Sequence, residues 1–131
     1  MKILITDDHI LFREGLSSLI NTQSDLTVIG SAATVKDSIS QATTLQPDLI
    51  LMDFDLPDGT GLDAARTILE QNPHVKLVFL TMNEADESLF EAMRCGAHGY
   101  LPKNVPVNKL LTYIRGFGQG KSTLTPSKIS S

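Results

Sequence analysis

The sequence predicts an α/β domain: a doubly wound, five-stranded parallel sheet built as (βα)5, with strand order 2-1-3-4-5. Three observations carry that expectation. Three runs of contiguous apolar, β-forming residues read as strands covered on both faces, the pattern of central parallel strands. Between them lie segments whose apolar residues recur at helical spacing. A chain of 131 residues, 41% of them hydrophobic, is enough for one full core and leaves little room for a second domain.

Taken in order, Ile3-Leu4-Ile5 forms the first strand, and Phe12, Leu16, Leu19 and Ile20 mark the first helix. Residues 26–30 only partly alternate, which places the second strand at an edge. Thr34, with Asp37 three residues on, caps a second helix carrying Val35, Ile39 and Ala42, and Pro47 closes it. Leu49-Ile50-Leu51-Met52 is a central strand. The third helix carries Leu62, Ala65, Ile68 and Leu69 and stops before Asn72-Pro73. Residues 75–80 form the other central strand, followed by a helix with Leu89, Ala92 and Met93 that ends at Gly96. Gly99-Tyr100-Leu101 is short and is stopped by Pro102, which a sheet tolerates mainly at an edge. A fifth helix begins near Pro106 with Leu110, Leu111 and Ile114. Right-handed crossovers between two edge and three central strands leave 2-1-3-4-5 as the natural order. The glycines of residues 116–120 and the Ser/Thr-rich end read as a linker, which divides the chain into a domain over residues 1–117 and a linker over 118–131.

Composition excludes several function classes. No window approaches the roughly 18 apolar residues that a membrane helix needs. The N-terminus runs into acidic residues without a signal-peptide stretch, and the lone Cys95 has no internal partner, so a reducing cytoplasm is expected. Eleven basic against 15 acidic residues give a net charge of −4, an unpromising surface for nucleic acid. What chemistry remains collects at strand ends. Parallel strands end at one edge, where ligands bind at the switch point. Strand one ends in Thr6-Asp7-Asp8, strand three in Asp53 and strand four in Thr81, while Lys103 follows strand five. Carboxylates packed together repel unless a cation sits among them, and an oxygen-only set suits Mg2+. Thr81 and Lys103 add donors for an anion, so the pocket fits a phosphoryl group, with Asp53 as its acceptor. His9, His74 and His98 show no ligand spacing and read as structural or surface residues, and Cys95 as a small packing residue.

Four motifs then stand together: Asp7-Asp8-His9, the run from Asp53 through Phe54-Asp55-Leu56-Pro57-Asp58 to Gly59, Leu80-Thr81-Met82, and the run from Gly96 to Lys103. As a set they closely resemble the response-regulator receiver domain of bacterial two-component systems, whose flavodoxin/CheY-like fold is the one expected above. The resemblance implies that Asp53 is phosphorylated by a sensor histidine kinase. It implies that Asp8 binds Mg2+ directly, Asp7 mainly through water, and Asp55 through its backbone carbonyl, alongside Asp53. Thr81 and Tyr100 would be the switch hydroxyl and aromatic, and Lys103 the phosphate-pairing lysine. Such a domain is not an enzyme beyond catalysing its own phosphorylation and dephosphorylation.

Asp7 through Leu16 and the Leu80-Thr81-Met82 run are further similar to NarL/LuxR-type regulators. In those, Leu-Thr-Pro opens a helix-turn-helix domain, so Leu124-Thr125-Pro126 resembles the first step of an absent output domain. Homodimerisation on phosphorylation, and DNA contact only through that further domain, follow from the same resemblance. Proline precedes Lys103 and Asn104 follows it, where many receivers place a cis proline after the lysine. Asp55 and Asn83 occupy positions that modulate the lifetime of the phosphoryl group in the family. Asp53-Phe54-Asp55 also resembles the Asp-x-Asp nucleophile of haloacid dehalogenase-type phosphatases, but there the acidic metal pair comes late, and here it comes first.

Overall fold

The computed structural model describes residues 1–82 and 86–120. In chain order the elements are β1 (Lys2–Thr6), α1 (Ile10–Asn21), β2 (Thr27–Ala32), α2 (Val35–Leu45), β3 (Leu49–Asp53), β4 (Asp55–Leu56), β5 (Gly59–Thr60), α3 (Gly61–Gln71), β6 (Lys76–Thr81), α4 (Asp86–Arg94), β7 (Gly99–Pro102) and α5 (Val107–Gly118). The main sheet is parallel throughout with order β2-β1-β3-β6-β7, which is 2-1-3-4-5 once the short β4–β5 ribbon is set aside.

The contiguous apolar runs are explained by what covers them. Successive residues of a strand face opposite sides. Ile3, Ile5, Leu49, Leu51, Val78 and Leu80 point to a core closed by Leu16 and Ile20 of α1 and by Leu110, Leu111, Ile114 and Phe117 of α5. Their neighbours Leu4, Ile50, Met52, Leu77 and Phe79 point to a second core, closed by Ala42 of α2, by α3 and by Ala92 of α4. All five residues of β3 are buried, as a strand covered on both faces must be.

Two local expectations need correction, and one feature is new. The second strand starts at Thr27 and runs to Ala32, beyond the partly alternating stretch. The segment after Asp53 forms a small antiparallel ribbon, β4 paired with β5, which no sequence pattern announced. Residues 116–118 belong to α5 and not to a linker: Phe117 is 1% exposed and its ring lies against Gly99, where any side chain would collide with it. Burial of that ring outweighs the poor helix propensity of the two flanking glycines. Residues 121–131, including Leu124-Thr125-Pro126, lie outside the described residues, as does Asn83.

Capping places the helices that frame the sheet edge. Thr34 accepts the N–H of Asp37 at the start of α2, and the Asp58 carboxylate, reaching across from the β4–β5 turn, accepts the N–H groups of Val35 and Lys36. Thr60 and Asp63 form a reciprocal capping box at the start of α3.

Candidate functional site

The buried polar side chains among the described residues are Thr6, Asp7, Ser38, Asp53 and Thr81. Four of the five stand at or just beyond the C-terminal ends of β1, β3 and β6. Ser38 of α2 meets Thr6, hydroxyl to hydroxyl, at 2.9 Å.

Asp7 continues β1 by donating its N–H to the Ala32 carbonyl, which turns its carboxylate into the pocket. Oδ1 accepts the backbone N–H of His9 at 2.8 Å. Oδ2 is buried and pairs with the Lys103 ammonium 2.8 Å away. Asp8 is partly exposed, with Oδ1 3.4 Å from His9 Nδ1. Asp53 ends β3; its Oδ1 accepts the Asp55 N–H at 3.2 Å and its Oδ2 accepts from Lys103 Nζ at 3.2 Å. Lys103 is held from two sides. Its N–H donates to the Thr81 carbonyl, and its ammonium sits 5.0 Å from the centroid of the Phe12 ring, so only 6% of the side chain is exposed.

Burial pushes the Asp53 carboxyl above its ordinary range, the Asp7 charge pushes it further, and Lys103 only partly opposes them. Burial works against the Lys103 charge, yet Asp7 and Asp53 outweigh it and hold the ammonium above its usual pKa. The site is thus short of positive charge, and its one buried ammonium is tightly engaged. Carboxylate oxygens of Asp7, Asp8 and Asp53 and a ring nitrogen of His9 all lie within 4.8 Å of one another. That donor set, three carboxylates with a ring nitrogen beside them, fits a divalent cation.

The structure therefore brings Asp7, Asp8, Asp53 and Lys103 into one cluster. Thr81 is buried at the end of the adjacent strand, in register with Pro102. Tyr100 is half-buried, edge-on to Phe54 at 6.2 Å between ring centroids. Asp55 reaches the site through its backbone N–H. His9 is the exception to the reading of the histidines as bystanders: as N-cap of α1 it turns back so that Nδ1 is 3.0 Å from Asp7 Oδ1 and 3.1 Å from Lys103 Nζ. His98 is structural as expected, its Nδ1 accepting the Leu77 N–H at 3.3 Å.

Two positioning residues escaped the sequence reading. Gly61 opens α3 where the Asp53 carbonyl oxygen occupies the space that any side chain would need. Phe12 reads as an ordinary core position of α1, and only its contact with Lys103 reveals the second use. The glycine shortly after Asp53 was a usable signal; the Phe12 contact was not. Every described peptide bond is trans, including those around Lys103.

The model of the response regulator receiver domain family matches residues 3–115. The chain belongs to that family. Among curated relatives it is 37% identical to the oxygen regulatory protein NreC of Staphylococcus carnosus over 132 residues, covering all of this chain and 61% of NreC. It is 39% identical to the transcriptional regulatory protein YxjL of Bacillus subtilis over 134 residues, covering all of this chain and 62% of YxjL. The receiver thus spans about three fifths of the relatives it matches. Among solved structures, a LuxR-family two-component response regulator from Aurantimonas sp. SI85-9A1 superposes with a TM-score of 0.90 at 26% identity, covering 98% of this chain and 92% of that one. The receiver domain of NarL from Mycobacterium tuberculosis shares the fold, with a TM-score of 0.87 at 21% identity and coverage of 92% and 97%. This receiver is of the NarL/LuxR type. No helix among its described residues is long and apolar enough to cross a membrane.

Proposed function

We propose that this receiver accepts a phosphoryl group from a sensor histidine kinase onto Asp53 and, in the cytoplasm, passes the resulting conformational change to a DNA-binding output domain joined beyond residue 118. Mg2+ would be held by Asp8, Asp53 and the Asp55 carbonyl, with Asp7 acting mainly through water, and would supply the positive charge that lets an anionic phosphodonor approach these carboxylates. The chain's own residues do the remaining work. A carboxylate oxygen of Asp53 attacks phosphorus, the phosphorus–nitrogen bond of the donor breaks, its electron pair leaves with the imidazole, and an acyl phosphate forms on Asp53. The Lys103 ammonium, shared between Asp7 and Asp53 beforehand, pairs with the phosphoryl oxygens. The Thr81 hydroxyl is drawn toward the same group. Tyr100 follows, altering the surface of α4, β7 and α5 through which a homodimer and the output domain are controlled.

The observation that carries this reading is the Asp53 carboxylate, 4% exposed at the end of a central strand, with an ammonium on one oxygen and a second buried carboxylate beside it. The names of the curated relatives, oxygen regulatory and transcriptional regulatory proteins, support a regulatory output, and their greater length leaves room for a further domain. Intact-mass spectrometry after incubation with acetyl phosphate and Mg2+ tests the assignment. One phosphoryl mass is expected on the native chain, none on Asp53→Asn, and none in excess chelator. Undiminished labelling of the variant, or repeated turnover of a simple phosphomonoester, would overturn it.

A further inference from the structure

The cluster contains a donor that a Mg2+ centre does not need. His9 stands one residue beyond the acidic pair, and its ring is 63% exposed, so no packing requirement turns it inward. Nevertheless Nδ1 is aimed at the pocket, 3.0 Å from Asp7 Oδ1, 3.4 Å from Asp8 Oδ1 and 3.1 Å from the Lys103 ammonium. The ring makes no capping bond to α1 and is turned inward by its contacts with Asp7 and Lys103. The ammonium meanwhile touches atoms of three of the four cluster residues, Asp7 Oδ2, Asp53 Oδ2 and His9 Nδ1, so a positive charge already sits where they converge.

Three carboxylates and one imidazole nitrogen within 4.8 Å form a mixed oxygen and nitrogen ligand set. Hard cations such as Mg2+ use the oxygens and gain little from the ring, whereas imidazole suits borderline cations such as Zn2+, Ni2+ and Co2+. We propose that His9 Nδ1 is a ligand of the acidic centre for borderline divalent cations, giving the phosphoacceptor pocket a second metal-binding mode that is tighter than its Mg2+ mode and depends on His9. This rests on the reading of the acidic cluster as a metal centre and adds to it the class of metal that competes there. A cation of that class displaces the ammonium from Asp7 and Asp53 and occupies the pocket in place of Mg2+.

Titrating Zn2+ and Mg2+ separately into the native chain and into His9→Gln, by calorimetry, tests the assignment. Loss of a directly bound ligand is expected to weaken Zn2+ binding by at least the roughly 10- to 100-fold that loss of an outer-shell partner costs, while Mg2+ affinity stays within about twofold because its oxygens are untouched. Nitrogen-15 NMR of the histidine rings supplies a readout at the atom itself: Zn2+ should move the His9 Nδ1 resonance, and Mg2+ should leave it in place. Equal Zn2+ affinity in the two chains with normal Mg2+ binding overturns the role of His9 alone, as does Zn2+ moving only the resonances of His74 or His98. Failure of Mg2+ to bind either chain overturns instead the underlying reading of a metal centre.

Discussion

Lys103→Met tests whether the ammonium is the internal counter-ion of the acidic pocket. The side chains of Lys103, Asp7 and Asp53 are 6%, 2% and 5% exposed, so the substitution leaves two buried carboxylates facing each other without their cation. Breaking a buried ion pair from one side costs about 3–5 kcal/mol. The lower end is expected, because Asp53 is already held above its ordinary pKa and takes up a proton readily when the ammonium is gone. Methionine keeps the apolar stem against Phe12 but loses the charge over its ring. With a urea dependence of about 2 kcal/mol per molar, a loss of about 3 kcal/mol lowers the unfolding midpoint by about 1.5 M. That is a large share of a stability of roughly 5–15 kcal/mol.

The pH dependence has a definite sign. A carboxyl whose folded pKa is raised stabilises the fold fully below its unfolded value of 3.8 and loses that contribution as pH rises through the folded value. The variant's deficit, measured in chelator, should therefore be small near pH 4 and grow toward pH 8. Saturating Mg2+ should stabilise the variant more than the native chain, since it need not displace an ammonium. Equal midpoints in chelator at pH 8, or an equal Mg2+ increment in both chains, would refute the counter-ion argument.

Gly61→Ala places a methyl group against the Asp53 carbonyl oxygen, Met52 and Phe79, and should destabilise the domain by about 1–3 kcal/mol while slowing phosphorylation from acetyl phosphate; unchanged urea midpoint and labelling rate would dismiss Gly61 as a positioning residue. Burial, and then the Lys76 charge, hold the His98 pKa below 6.5, so stability should fall as pH drops below that value, where the unfolded chain takes a proton that the folded one refuses. His98→Asn keeps an acceptor for the Leu77 N–H but cannot titrate, and the slope of urea midpoint between pH 7 and about 5.5 should flatten; equal slopes in the two chains would refute it. Phosphorylation should change the NMR environment of the Tyr100 ring, now edge-on to Phe54, and an unchanged spectrum would exclude it as the switch aromatic.

The strand and helix order was legible in the sequence because local periodicity responds directly to covering layers. Leu49-Ile50-Leu51-Met52 alternates between two buried cores, and a run this short, with all four residues apolar, is what a strand covered on both faces produces. The acidic pair, Asp53, Thr81 and Lys103 were legible for a related reason: parallel strands share one C-terminal edge, so residues far apart in the chain had to meet there. What remained hidden depends on distances that no local pattern encodes. Lys103 contacts Asp53 across 50 positions and His9 across 94, and only the packed sheet brings those atoms within about 3 Å. The same holds for Asp58, which caps α2 from a turn 23 positions further along the chain, and for Phe117, whose burial against Gly99 extends α5 through glycines that by propensity alone would end it. Composition and periodicity set the layers and the edge where chemistry collects; which side chain turns inward at that edge was decided by tertiary contacts, the His9 ring turning back to Asp7 and Lys103 and the Phe12 ring meeting the Lys103 ammonium.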